Sequence, residues 1–222
     1  MPGEPVELYA LAHVLNVACG GHAGDDASME RVLRACQGHG TAVAAHPSYP
    51  DREGFGRSSL ALSPEDIERA VTTQCAALRS VAERIGAPSL YGVKPHGALY
   101  HDATRDRAKA DAVVRAASAA LGNTITIVGP PHGELANAAR ACGLAFAGEA
   151  FADRRTRPDG TLVPRGEPGA VIEDAPAAIA RARELVAAGG FETLCVHGDT
   201  KGAVEIARAV RRLLDEESSA CT

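Results

Sequence analysis

Short apolar runs alternate along this chain with longer segments in which apolar residues recur every three or four positions. A strand covered on both faces reads as a continuous apolar run and its crossover helix reads as amphipathic, so the alternation is that of βα units around a parallel sheet. The strands it predicts are Val14–Cys19, Thr41–Ala45, Leu90–Lys94, Thr124–Val128, Leu144–Gly148 and Thr193–Val196, with a weaker piece at Ala170–Ile172. The predicted helices are Ala27–Gln37, Pro64–Ile85, Asp106–Leu121, Glu134–Ala141, Ala175–Ala187 and Lys201–Glu216. The clearest helix start is Ser63-Pro64-Glu65-Asp66, with a capping hydroxyl, a proline at the first helical position and acids in the first turn. The clearest stops are Gly86 and Gly143. At about 30 residues per βα unit the chain holds about seven units, and no Gly/Ser-rich linker divides them. The expectation is one α/β domain over residues 1–222, barrel-like rather than open. A doubly wound sheet shows the same alternation, and in either geometry ligand chemistry belongs at the carboxyl ends of the strands.

Composition narrows the function classes. Of 222 residues 45% are apolar but only 4% aromatic, with no Trp, so the core is built from Ala, Val, Leu and Ile. The net charge of −5, without a Lys/Arg stripe, argues against a nucleic-acid surface and against an anionic membrane surface. No run approaches the length of a membrane helix, and the start Met1-Pro2-Gly3-Glu4-Pro5 has no basic leader region, so a cytoplasmic protein is expected. The six cysteines, at 19, 36, 75, 142, 195 and 221, have neither C-x-x-C nor zinc-ribbon spacing. Most sit in apolar segments as small hydrophobes; Cys19, beside a Gly-Gly-His run, is the least settled.

What separates the chain from a generic α/β domain is the polar residues at its predicted strand ends. The first strand runs into Asn16 and then Cys19-Gly20-Gly21-His22-Ala23-Gly24-Asp25, the second into His46-Pro47-Ser48-Tyr49-Pro50-Asp51-Arg52, and the third into Lys94-Pro95-His96. The fifth ends at Glu149 and continues to Asp153-Arg154, and the last ends in His197-Gly198-Asp199-Thr200. In a parallel sheet all these ends share one rim, which holds four of the eight histidines. His22, His46, His96 and His197 with Asp25 and Asp199 have the composition of either a divalent-metal site or an acid/base cluster, and spacing does not choose between them. The bland alternative is that individual histidines only satisfy backbone groups. Lys94 offers a cation for an anion or a developing oxyanion, against the alternative of a surface ion pair. Glu149, Asp153 and Arg154 either serve the site or pair among themselves, and Asp51-Arg52 carries the same ambiguity. His13, His39, His101 and His132 are weaker candidates.

Six segments together resemble the LamB/YcsF family, also called the 5-oxoprolinase A-subunit family. They are Asn-Val-Ala-Cys-Gly-Gly-His-Ala-Gly-Asp (16–25), Ala-His-Pro-Ser-Tyr-Pro-Asp-Arg-Glu-Gly-Phe-Gly-Arg (45–57), Val-Lys-Pro-His-Gly-Ala-Leu-Tyr (93–100), Glu-Ala-Phe-Ala-Asp-Arg (149–154), Asp-Gly-Thr-Leu-Val-Pro-Arg (159–165) and Val-His-Gly-Asp-Thr (196–200). The resemblance implies a distorted (β/α)7-type barrel of the glycoside hydrolase/deacetylase kind. It also implies ATP-dependent opening of 5-oxo-L-proline to L-glutamate, carried out with separate B and C subunits. The family usually begins with a strand reading Asp-Leu-Asn-x-Asp-x-Gly-Glu, of which only Gly3-Glu4 could remain here, so the first strand is expected to be missing or truncated, and a start codon placed too late is one explanation. Gly21 stands where the family usually has Phe, Thr156 where it has Tyr, and the stretch from Asp174 to Thr193 is shorter than usual.

A lactam amide is resonance-stabilised, and ATP overcomes this if its phosphoryl group activates the amide oxygen before water attacks. Lys94 and Arg154 suit the phosphoryl group, and a rim histidine or Asp199 suits the role of base. The expected catalytic residues are therefore His22, His46, Lys94, His96 and Asp199. Asn16, Asp25, Glu149, Asp153, Arg154 and His197 are expected to bind substrate. His22, His46 and His96 are the candidate ligands of a divalent ion, Mg or Zn. No G-x-x-x-x-G-K-[ST] loop occurs, which leaves the helix start after Gly24-Asp25 or a partner subunit to hold the nucleotide. The rivals are a metal-dependent deacetylase without ATP, disfavoured by the absence of a His-[Ser/Thr]-x-x-His pair, and a non-catalytic binding or regulatory subunit. Whether the chain forms a homo-oligomer is left open.

Overall fold

The computed structural model describes residues 5–157 and 161–220. Six strands alternate with helices, and every strand pairs in parallel with the next one in sequence, the sequential order of a βα barrel. The chain packs as two compact units whose boundary falls inside a strand, between Gly148 and Glu149, rather than in a linker.

The first unit spans residues 13–148. It contains β1 (Val14–Ala18), α2 (Asp26–His39), β2 (Ala42–His46), α3 (Pro64–Arg84), β3 (Gly92–Val93), α4 (Gly97–Arg105), α5 (Arg107–Leu121), β4 (Thr126–Gly129), α6 (Glu134–Ala141) and the first part of β5 (Ala145–Phe151). Here the helices begin where short polar side chains take up free amides. Asp25 forms a reciprocal capping box with Ser28, Ser63 accepts from Asp66 N ahead of Pro64, and Asp106 accepts from Ala108 N and Lys109 N. α3 packs on α5, and both helices bury apolar side chains, Ile67, Val71 and Leu78 on α3 and Ala110, Val113, Val114 and Ala117 on α5. β3 is only two residues long, and a β-carbon at Gly92 would collide with the Thr126 backbone of β4, so the strands approach there only because the side chain is missing.

The second unit holds α1 (Glu7–Leu11), the end of β5, α7 (Ala175–Ala188), β6 (Thr193–Cys195) and α8 (Ala203–Ala220). Its core is Ala175, Ala178 and Ala182 of α7 with Ile206, Val210 and Leu213 of α8, and Ala152 is buried in the same cluster. α1 lies on α8, and Arg211 donates to the Leu11 carbonyl.

The structure departs from or adds to the expected elements in three places. The Ala170–Ile172 piece forms one isolated antiparallel bridge, Arg154 to Val171, and not a strand. Segment 7–11 is helical, and Gly3-Glu4 lies outside the described residues. α4 is an addition to the predicted elements: Gly97 begins it at φ 58° with no side-chain cap, and the amide of Ala98 instead donates to Gly56 O at 2.9 Å. Asp159 and Gly160 of the fifth motif, and Cys221, also lie outside the described residues.

Candidate active site

In the first unit the ends of β1, β2 and β3 bring together His22, His46, Lys94 and His96. His46 closes β2, while Lys94 and His96 follow β3, tied to the neighbouring strand end by Lys94 N to Ala45 O at 2.9 Å and His96 N to Pro47 O at 2.7 Å. His22 comes from the β1–α2 loop. The rings of His22 and His96 stack with centroids 3.7 Å apart and planes 7° from parallel. His46 meets His96 edge-on at 4.8 Å, and the Phe55 ring stands edge-on to His22 and His96 at 5.1 and 5.4 Å. Lys94 and His22 are each 5% exposed, and the two other imidazoles are half-buried.

Ring nitrogens in this cluster face backbone carbonyls and one another. His46 Nδ1 lies 2.7 Å from Lys94 O, His46 Nε2 lies 3.0 Å from His96 Nδ1, and His96 Nε2 lies 3.0 Å from Phe55 O. Burial, then the charges of His96, Lys94 and His22, holds His46 well below the usual histidine range. Burial, then His96, Arg57 and Arg52, lowers His22 to about 3. Both are neutral imidazoles at physiological pH. His22 Nδ1 is a buried atom with no hydrogen-bond partner. Cys19, deep at the end of β1, is pushed up to about 12 by burial, which makes it an inert thiol.

This geometry does not fit the expected metal set. A ligand's lone pair lies in its ring plane, and the nearly parallel planes of His22 and His96 do not meet at one ion about 2.1 Å from each nitrogen. Both nitrogens of His46 and of His96 are already spoken for. Among the described residues no group of three or more His, Cys, Asp or Glu side chains is arranged to hold a metal.

Several residues position the cluster, and Gln74 among them carries no signal of its own in the sequence. Gln74 of α3, buried, accepts from Ser48 N at 3.0 Å and donates to Ser48 O at 2.8 Å, which fixes the loop after β2. A β-carbon at Gly21 would overlap Gln74 Oε1 and Ser48 Oγ, so the Gln74 amide and the Ser48 hydroxyl pack directly on this glycine. Phe55 has φ 54°, an uncommon conformation for a side-chain-bearing residue, and it presents the carbonyl that His96 faces. Arg52 ties the same loop to Gly24 O at 2.8 Å. Tyr49 donates to Asp102, which also accepts from Ser59.

Of the other candidates in this unit, Asp25 is the cap of α2; its carboxyl, hydrogen-bonded to Ser28, is held below the usual range, and its contacts are those of a helix start. Asn16 lies in the middle of β1, in register with Ala44.

In the second unit Asp153 is fully buried and accepts from His197 N at 2.9 Å, His197 Nδ1 at 2.9 Å and Thr200 Oγ1 at 2.6 Å. Burial raises its pKa, but the bonds from His197 and Thr200 outweigh that and leave it lowered. His197, stacked on Phe151 at 5.6 Å, is thereby oriented with its Nδ1–H toward the carboxylate. Asp199, expected as a base, has both carboxylate oxygens engaged by Arg165 at 3.2 Å. Arg154 is buried and donates to Val163 O at 2.6 Å and Ala170 O at 3.3 Å, so it braces the 154–171 segment rather than projecting a free cation. Glu149 is buried at the boundary within β5.

Parallel strands in sequential order, with imidazoles and a buried lysine at their carboxyl ends, define an α/β protein built from βα units. The chain belongs to the LamB/YcsF family, whose sequence profile matches residues 3–222. It is 44% identical over 221 residues to the 5-oxoprolinase A-subunit of Methylococcus capsulatus, covering 94% of this chain and 84% of that one. It is 44% identical over 225 residues to that of Chloroflexus aggregans, covering 96% and 88%. The solved structure of the lactam utilization protein from Thermus thermophilus matches with a TM-score of 0.85 at 38% identity, over 96% of this chain and 89% of that one. No helix among the described residues is long and apolar enough to cross a membrane.

Proposed function

We propose that this chain is the A-subunit of a 5-oxoprolinase and acts with separate B and C subunits in the ATP-dependent hydrolysis of 5-oxo-L-proline to L-glutamate. The observation that carries the reading is the 44% identity, across 94% of the chain, to a protein named as a 5-oxoprolinase A-subunit. ATP is a substrate here: its terminal phosphoryl group goes to the amide oxygen and ADP leaves. Water then adds to the carbon, and the ring C–N bond breaks as nitrogen takes up a proton. A second water releases phosphate from the acyl phosphate.

The residues assigned to the lactam are Lys94, His96, His46 and His22. Lys94 supplies a buried positive charge for the oxygen that becomes anionic, in a place where charge acts more strongly than in water. The imidazoles, two of them held neutral, cluster at the same strand ends and offer proton transfer. The test is a 5-oxoproline assay on the wild-type chain alone and with its B and C partners. Glutamate should form only with the partners and ATP, and Lys94→Ala should abolish it while the chain still folds and assembles. Turnover by this chain alone without ATP, or full activity of Lys94→Ala, refutes the assignment.

A further inference from the structure

The last two strands set a carboxylate against an imidazole within the second unit. β5 and β6 run in parallel register with Phe151 opposite Cys195, and Asp153 and His197 each follow that pair by two residues, so the register brings them together. The backbone here is held by Ala152 N to Cys195 O at 3.0 Å and by Ile172 N to Asp153 O at 2.9 Å. The Asp153 carboxylate, fully buried, accepts from the imidazole on Oδ1, and from the His197 amide and the Thr200 hydroxyl on Oδ2. Phe151 lies 13° from parallel against the ring and restrains its remaining rotation.

We propose that His197 is a catalytic residue of the hydrolysis and Asp153 its positioning residue: His197 Nε2 takes a proton from the attacking water as the O–C bond forms, and returns it to the ring nitrogen as the C–N bond breaks. The bonds from His197 and Thr200 keep Asp153 ionised, and a carboxylate only accepts. Nδ1 therefore carries a proton whether the ring is neutral or charged, and the proton that comes and goes is the one on Nε2. Nε2 lies on the edge of the ring away from the carboxylate, makes no hydrogen bond among the described residues, and belongs to a side chain that is 25% exposed. A buried carboxylate behind an imidazole stabilises the imidazolium formed in mid-reaction, and the charge of His197 is in turn among the causes that lower Asp153. The His197 amide and Thr200 already tie the loop after β6 to Asp153, so the imidazole bond adds no further link between these segments; what it adds is a fixed direction for Nε2. Asp199, in the same loop, is paired with Arg165 and does not compete for the role.

This role rests on the proposed function for its substrate. The experiment compares the assembled enzyme, with ATP and the B and C partners, in wild-type, His197→Asn and Asp153→Asn forms, and follows ADP and glutamate separately. The side-chain amide of His197→Asn reaches Asp153 Oδ1 as Nδ1 does, so the carboxylate keeps its bonds while the exchanging nitrogen is lost. Its kcat for glutamate should fall by about 10²- to 10⁴-fold, with KM for 5-oxoproline little changed. ADP should still form in the first turnover, since phosphorylation of the amide oxygen precedes the water step. Asp153→Asn, whose neutral ring carries its proton on Nε2, should show the same pattern, and the double variant should be no slower than His197→Asn alone. Glutamate formation by His197→Asn at the wild-type rate overturns the proposal, and so does loss of first-turnover ADP in a variant that folds and assembles. Should His197→Asn not fold, Asp153→Asn decides on the same two readouts. A wild-type assembly that forms no glutamate refutes the proposed function, and the role of His197 falls with it.

Discussion

Asp153→Asn tests the second unit most directly, because the geometry dictates both its cost and its side effect. The carboxylate accepts three hydrogen bonds with no exposure to solvent. Oδ2 faces the His197 amide, which only donates, so the new NH2 group cannot sit there and must take the place of Oδ1, opposite His197 Nδ1. That nitrogen must then accept, and the imidazole proton moves to Nε2. Thr200 keeps its bond to the remaining oxygen. Three charge-assisted bonds fall to neutral strength, partly offset by relief from burying a charge, for a net loss of about 2 kcal/mol, or about 4–8 °C in Tm for a chain of this size. The sign of the pH dependence follows from the lowered pKa of Asp153. As pH falls through the ordinary value of 3.8, the unfolded chain protonates first, so the contribution of the wild-type carboxylate is full above that value and lost through the lower folded pKa. Thermal melts from pH 7 down to pH 3, paired with nitrogen-15 histidine spectra, provide the readout. A gap that narrows on acidification, with the His197 proton moved to Nε2, is expected; equal melts at pH 7, or a proton still on Nδ1, would refute the bonding scheme.

Three further outcomes follow from the first unit. His22 is neutral when folded, with a pKa of about 3 against an ordinary 6.5, so the unfolded chain gains a proton that the folded chain refuses as pH drops below 6.5. His22→Phe removes that penalty, and its stability relative to wild type should grow by about 2 kcal/mol between pH 8 and pH 5; a pH-independent difference in denaturant melts would contradict it. Gln74→Leu keeps the volume but strands the buried N–H and C=O of Ser48, which should cost about 3 kcal/mol in a urea titration; a loss below about 1 kcal/mol would show that the loop after β2 is held otherwise. Asp25→Ala should cost about 1 kcal/mol, the worth of a helix cap, and leave kcat of the assembled enzyme unchanged; a fall in kcat without a fall in stability would return Asp25 to the site.

The strands and most helices were legible because their causes are local. A run such as Leu194 to Val196 is apolar throughout, and Ser63-Pro64 or Asp106 announces a helix start in its own few residues. The gathering of His22, His46, Lys94 and His96 was legible one step further on, since parallel strand ends share a rim and the polar residues follow apolar runs directly. Roles were harder to read than places. Asp25 and Asp199 look like site carboxylates until Ser28 and Arg165 are seen to occupy them, and the Arg165 partnership joins residues 34 apart in the chain. α4 begins on a backbone bond to Gly56 rather than a capping side chain, so nothing in its own sequence marks it. The metal reading failed for a reason of orientation: three imidazoles close together are ligands only if their lone pairs converge, and here two rings lie face to face. What orients them is largely backbone, the carbonyls of Lys94 and Phe55, which every residue type possesses. A pattern of side chains therefore identifies which imidazoles meet, while their orientation is set by acceptors that leave no mark in the sequence.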